Sequence, residues 1–147
     1  MSRLTSTEIG AWNGFLRVHS RVWNTLEDAM IKRCGLTMAA YELLLAVEEA
    51  GEAGIRMSDL AGKLRYTSGG LTRLADKLQQ QGLIQRLRSE TDGRGFQVHL
   101  TPQGQQKLRR IHVEHLRDVR QQFLGRLSAE EQQTLAAIWQ KLEGTTR

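Results

Sequence analysis

The sequence is poor in several things, and each shortage narrows what it can be. It has one cysteine, Cys34, among 147 residues, so it can form neither an internal disulfide nor a multi-thiolate metal site. It has one proline, Pro102, against 14 glycines; that argues against a proline-rich linker and for helices punctuated by glycine. No apolar run approaches the roughly 18 residues a bilayer crossing needs. Met1 to Ser20 holds no apolar block followed by a small-residue cleavage site. These absences lead us to expect a soluble, cytoplasmic protein with no membrane partner. Catalytic signatures are missing too: no phosphate-binding loop, Gly-x-Ser-x-Gly, His-Glu-x-x-His, or Gly-x-Gly-x-x-Gly after a strand. Neither an enzyme nor a cofactor is expected.

What remains has globular composition, 39% hydrophobic and 25% charged. A domain of this size buries roughly 68–70% of its unfolded surface and needs no staple. Lys and Arg number 21 against 16 acids, a net charge of +5, which alone points only weakly to nucleic acid. The distribution says more. Residues 1–55 hold 5 basic and 7 acidic side chains, residues 56–101 hold 8 and 4, and residues 102–147 hold 8 and 5. The densest positive excess is in the middle third.

Periodicity divides the chain. Ile9, Trp12, Leu16, His19, Trp23, Leu26 and Met30 alternate spacings of three and four, which is one stripe of a long helix starting near Ser6. Phe15, Val22 and Ala29 widen it, and Cys34-Gly35 ends it. Thr37 can cap a second helix through Tyr41, Leu44, Leu45 and Val47. Met57 to Leu64 is a short third helix. Thr67 or Ser68 opens a fourth, with Leu71, Leu74, Ala75 and Leu78 inward and Thr72, Arg73, Asp76 and Lys77 outward. The period then changes. Leu83 to Arg88 and Phe96 to Leu100 flank the turn-forming Ser89 to Gly95, the pattern of a β-hairpin with a basic tip. Thr101-Pro102 starts another helix, with Leu108, Ile111, His115, Val119, Phe123 and Leu127 as its stripe. Ser128-Ala129-Glu130-Glu131 is a capping box opening the last helix.

Helix, helix and hairpin in the most basic third is the order of a winged helix-turn-helix. Met57 to Leu64, then Thr67-Ser68-Gly69-Gly70-Leu71-Thr72-Arg73-Leu74-Ala75-Asp76-Lys77-Leu78, then Gln81-Gly82-Leu83-Ile84-Gln85-Arg86 resembles the MarR family of bacterial transcription regulators. Asp92-Gly93-Arg94-Gly95 followed by Leu100-Thr101-Pro102-Gln103-Gly104 resembles that family's most characteristic stretch, and Gly35-Leu36-Thr37 matches ahead of the second helix. The likeness covers nearly the whole chain. The wing departs from the commoner Asp-Arg-Arg form at Gly93, so Arg94 must serve there alone.

The resemblance implies a mainly α fold with a small β-hairpin wing. A winged helix-turn-helix at 36–101 would be flanked by dimerisation helices at 1–35 and 102–147. It implies a homodimer reading double-stranded DNA as a pseudo-palindrome, with half-sites about 34–36 Å apart, and a repressor released by a small, often aromatic effector. A monomeric helical cap over the reader is the plainer alternative for the terminal helices.

Chemistry names the contacts. Thr67, Ser68 and Thr72 offer hydroxyls where a recognition helix meets phosphates and base edges. Arg73 offers a fork that can grip guanine O6 and N7. Gly69 and Gly70 either let the backbone approach DNA closely or simply fray the helix start. Lys77 and Arg88, with Arg86 and Lys63, are candidates for phosphate contact. Arg94 between two glycines suits a narrow minor groove, and Asp92 suits pairing with an Arg. For an effector, Trp12, His19, Trp23 and Arg17 or Arg21 would suit an aromatic carboxylate; His19 as an interface histidine between packing indoles is the other reading. His112 and His115, three apart on a helix, could see one metal or simply be interfacial. Cys34 could sense peroxide or be inert packing. Two rival functions remain: a winged helix that binds protein, and a redox or metal sensor of the same fold.

Overall fold

A computed structural model describes residues 3–64, 67–88 and 96–144, and of Ser68 only the backbone. The chain divides into two compact units, Met30–Glu114 and a second made of the stretches before and after it.

The Met30–Glu114 unit holds the end of α1 (Ser6–Cys34), then α2 (Met38–Glu49), β1 (Ile55–Arg56), α3 (Met57–Leu64), α4 (Ser68–Gln80), β2 (Ile84–Arg88), β3 (Phe96–Leu100) and the first part of α5 (Pro102–Gln122). Local chemistry sets these boundaries. Gly35, at φ +66°, stops α1. Thr37 caps α2, its Oγ1 accepting from Ala40 N at 3.2 Å. At the end of α4, Gly82 N donates to Gln79 O and Leu83 N to Leu78 O, a left-handed stop that Gly82, at φ +70°, adopts without strain. The core is the inward face of each element: Leu43, Leu44, Val47, Leu60, Leu71, Leu78, Ile84, Val98, Leu108 and Ile111 are all fully buried.

The sheet has three antiparallel strands in the order β1-β3-β2. The expected hairpin is present, with Ile84 opposite Leu100, Arg86 opposite Val98 and Arg88 opposite Phe96. The third strand is an addition: Ile55 pairs with Val98 and Arg56 with Gln97. Two residues carry no periodicity, so only the partner strand makes β1 a strand.

The hairpin returns to α5 through a tight corner. The Thr101 hydroxyl accepts from Gly104 N at 3.0 Å and donates to Gly82 O at 2.6 Å. Thr101 N donates to Leu83 O at 3.1 Å. Gly104 lies so close to that carbonyl that a Cβ there would overlap the Leu83 oxygen.

The other unit contains α1 up to Ala29, α5 from His115, and α6 (Ala129–Leu142). Thr5 caps α1 in a capping box: Thr5 N donates to the Glu8 carboxylate at 2.7 Å, and Glu8 N donates to Thr5 Oγ1 at 3.3 Å. That backbone bond holds the exposed Glu8 carboxyl below its ordinary pKa. Ser128 and Glu131 form the expected box on α6. The stripe expected to run through Phe123 and Leu127 breaks earlier, because α5 ends at Gln122. Phe123 leaves helical geometry at φ −133°, and a short turn at Leu124–Arg126 precedes an extended Leu127. Gly125 permits the turn, a Cβ there coming within 2.8 Å of Arg120 O. Gln132 Nε2 satisfies the carbonyls of Leu124 and Leu127 at 3.0 and 3.1 Å.

Candidate nucleic-acid interface

Helix α4 begins four positions after α3 ends and is amphipathic in the expected sense. Leu71, Ala75 and Leu78 are buried, while Gly69, Thr72, Arg73 and Lys77 are exposed. Thr67, at φ −67° and ψ 144°, is the N-cap. Its Oγ1 accepts from Gly70 N at 3.4 Å, which leaves the hydroxyl proton to donate outward. The helix start therefore presents backbone N–H groups and a hydroxyl, as an anion-binding helix end does.

The two glycines now separate. A Cβ on Gly70 would approach Thr67 Oγ1 at 3.1 Å, so Gly70 gives the cap room, whereas a Cβ on Gly69 would meet only open space. Packing within the described residues does not account for Gly69. Replacing it with alanine should stabilise the helix by up to about 1 kcal/mol. If the Gly69 backbone meets DNA, the same change weakens operator binding, so thermal melting and a DNA titration should move in opposite directions.

Of the cations named from the sequence, Arg73 and Lys77 on α4 and Arg88 on β2 are exposed and have no ion-pair partner among the described residues. Two other phosphate candidates are engaged within the protein. Lys63 Nζ pairs with Glu49 at 2.6 Å, and Arg86 Nη1 pairs with Asp76 at 2.6 Å and also reaches Gln79 Oε1 at 3.2 Å. Asp76 lies on the outward side of α4 as expected, its side chain 47% exposed beside Arg86. Arg94 and Asp92 lie outside the described residues.

The sensor candidates fare unevenly. Burial pushes the Cys34 thiol pKa up, helped by the charge of Glu114 and opposed by Arg110, Lys107 and Arg33. A sensing thiol needs the opposite shift, so this environment does not favour a peroxide-sensing role for Cys34. The Tyr41 hydroxyl and His112 Nδ1 are hydrogen-bonded at 2.7 Å, their rings stacked with centroids 6.2 Å apart. Burial, then the Glu42 charge, raises the Tyr41 pKa. His112 thus serves as a packing partner of Tyr41, and no cluster of three metal-ligating side chains occurs among the described residues.

In the α1/α6 unit, an open groove of about 560 Å³ is lined by Phe15, Val18, His19, Trp23, Phe123, Ile138 and Trp139, among others. His19 and Trp23 belong to it. Trp12, Arg17 and Arg21 do not, so neither cation expected to meet a carboxylate lines it among the described residues. His19 lies between Phe15 and Trp23, at 5.9 and 6.1 Å between centroids, and Phe15 also meets Trp139 at 5.8 Å.

This geometry matches that of known proteins. A family model described as MarR family matches residues 35–95. A relative from Thauera aromatica is 33% identical over 108 residues, 74% of this chain but 63% of its own length, so less than two thirds of that relative is spanned. The multiple antibiotic resistance protein MarR of Salmonella typhimurium is 32% identical over 107 residues, 73% of each chain. Sco3205, a MarR family transcriptional regulator from Streptomyces coelicolor solved in complex with DNA, superposes with a TM-score of 0.88 at 26% identity, covering 97% of this chain and 89% of its own.

Proposed function

The chain belongs to the MarR family of transcription regulators, and from that premise we propose that it is a ligand-responsive, sequence-specific repressor acting as a homodimer. The observation that carries this reading is α4: one face buried, the other presenting Thr67, Thr72, Arg73 and Lys77, with Arg88 on the neighbouring strand. A helix capped by a hydroxyl and flanked by exposed cations suits a major groove. Arg94, by its place between two wing glycines, is assigned to the minor groove. A regulator that binds chromosomal DNA works in the cytoplasm.

Dimerisation rests on the helices outside the reader. All three tryptophans, Trp12, Trp23 and Trp139, are exposed at 56%, 37% and 37%. A contiguous apolar surface of this kind marks an association site, and we assign a second copy of α1 and α6 to cover it around a pocket that stays open beside His19. Trp12→Glu should then weaken the dimer by about 2 kcal/mol or more, roughly 30-fold, read by sedimentation at decreasing concentration. DNA affinity should fall with it. A variant that stays fully dimeric would rule out this surface.

The effector we propose is a small aromatic compound, supported by the groove walls. With His19 as the one titratable lining group among the described residues, the groove suits a planar apolar body with a single hydrogen-bonding substituent better than a carboxylate. Such a compound would release DNA by favouring a dimer geometry in which the two readers no longer fit both half-sites.

The decisive experiment is selection of bound duplexes from a random pool, repeated with aromatic compounds present. The expected result is a pseudo-palindrome bound with steep salt dependence and released by one class of compound. Recovery of no preferred sequence, with no salt-dependent binding, would instead favour a winged helix that docks on protein.

A further inference from the structure

The recognition helix and the wing strand are joined by one side chain. Arg86 Nη1, on β2, donates to Asp76 Oδ1 at 2.6 Å and Gln79 Oε1 at 3.2 Å. Asp76 and Gln79 stand three apart on one flank of α4. Residues directly opposite on paired strands share a face, as do residues two apart along a strand. Arg86 therefore shares its face of the hairpin with Val98, and with Arg88 and Phe96 nearer the tip. Val98 is buried, and Arg88 and Phe96 are exposed. Arg88 lies about 7 Å further along the strand.

Building on the DNA-reading role proposed above, we propose that Arg86 is a positioning residue that locks the wing to α4, so that Arg88 meets DNA in register with Arg73. The strongest support is Asp76. It sits one turn after Arg73 on the half of α4 that faces away from the core, where a carboxylate is repelled by phosphates and would weaken binding if it acted only as a charge. Pairing with Arg86 gives it a different task. The pair is 24% and 47% exposed, and ion pairs this open contribute little to stability, so its effect is on geometry. Two contacts held rigidly in register bind as one, because forming the first brings the second to high effective concentration.

The test uses Asp76→Asn and Arg86→Met, singly and together, titrated against DNA selected by the parent protein. We expect each single variant to bind about tenfold more weakly, with the double variant no weaker than either, because both remove the same link. Amide hydrogen exchange measured without DNA should accelerate across residues 84–88 and 96–100 in all three variants. Arg86→Lys, which keeps a charge opposite Asp76, should recover part of the loss. If Asp76→Asn binds as tightly as the parent or tighter, the carboxylate is only a repelled charge and the proposal fails. It also fails if the two losses multiply, which would mean that Arg86 contacts phosphate itself, or if hydrogen exchange is unchanged. A parent protein that selects no DNA would sink the functional reading instead, and the exchange measurement would still test the link.

Discussion

Arg73→Ala is expected to lower affinity for the selected operator by about 1–3 kcal/mol, roughly 5- to 150-fold, and to relax base preference at one position per half-site. The expected loss is large because the guanidinium has nothing else to do. Arg73 is exposed on α4 and lacks an ion-pair partner among the described residues, so its fork is available for a base edge. Its removal should leave the fold intact, since alanine is a good helix former at an exposed site. Two controls separate reading from charge. Binding to unrelated DNA should fall much less than operator binding, because a base contact contributes only where the base is correct. Arg73→Lys should keep most non-specific binding yet lose operator preference, since an ammonium cannot make the bidentate contact. Unchanged operator affinity at fixed salt would remove Arg73 from the interface.

Gly104→Ala is expected to be the most destabilising single-methyl change in the reader, costing about 3 kcal/mol or more and lowering the melting temperature by about 10 °C. Most core changes of one methyl are absorbed by side chains that shift. Here the obstacle is backbone: the Leu83 carbonyl occupies the place of the added Cβ, and that oxygen also accepts from Thr101 N at 3.1 Å. Relief therefore requires separating the start of α5 from the end of α4, which breaks the Thr101 bonds to Gly82 and Gly104 as well. Gly82→Ala gives a useful comparison. It imposes a strained φ of +70° but meets only the movable end of Gln103, at 3.2 Å, so a smaller loss is expected. Gly69→Ala, in open space, should lie on the stabilising side. Equal melting temperatures for the Gly104 variant and the parent would mean that this corner opens without cost.

The elements that were legible in the sequence are those whose signal is local. Gly35, Thr37, Gly82 and Ser128 mark helix ends through neighbouring backbone groups, so residue type and spacing suffice to place them. Thr5 was equally readable, since Thr5-Ser6-Thr7-Glu8 has capping-box spacing. The outward positions of α4 follow from its 3.6-residue repeat, which is why Thr72, Arg73 and Lys77 could be named in advance. Most of the missed features depend on a partner outside the local repeat. β1 exists only because β3 lies beside it. Tyr41 reaches His112 across 71 positions. Arg86, which has the look of a phosphate contact, is held by Asp76 and Gln79. The end of α5 at Gln122 was hidden because Phe123 and Leu127 continue the hydrophobic rhythm while the backbone departs from it.

The sequence by itself determined the order of elements, the concentration of positive charge between residues 56 and 101, and the family, because these depend on residue type and near-neighbour spacing. The tertiary structure decided which cations are available to a ligand and which are bound internally. It also sets burial and the Glu114 charge against ionisation of the Cys34 thiol, and it leaves both Arg17 and Arg21 out of the groove lined by His19. The reason is common to all of these. A side chain's charge is a property of its residue, whereas its freedom to act depends on what the fold brings within hydrogen-bonding distance and how much water it removes.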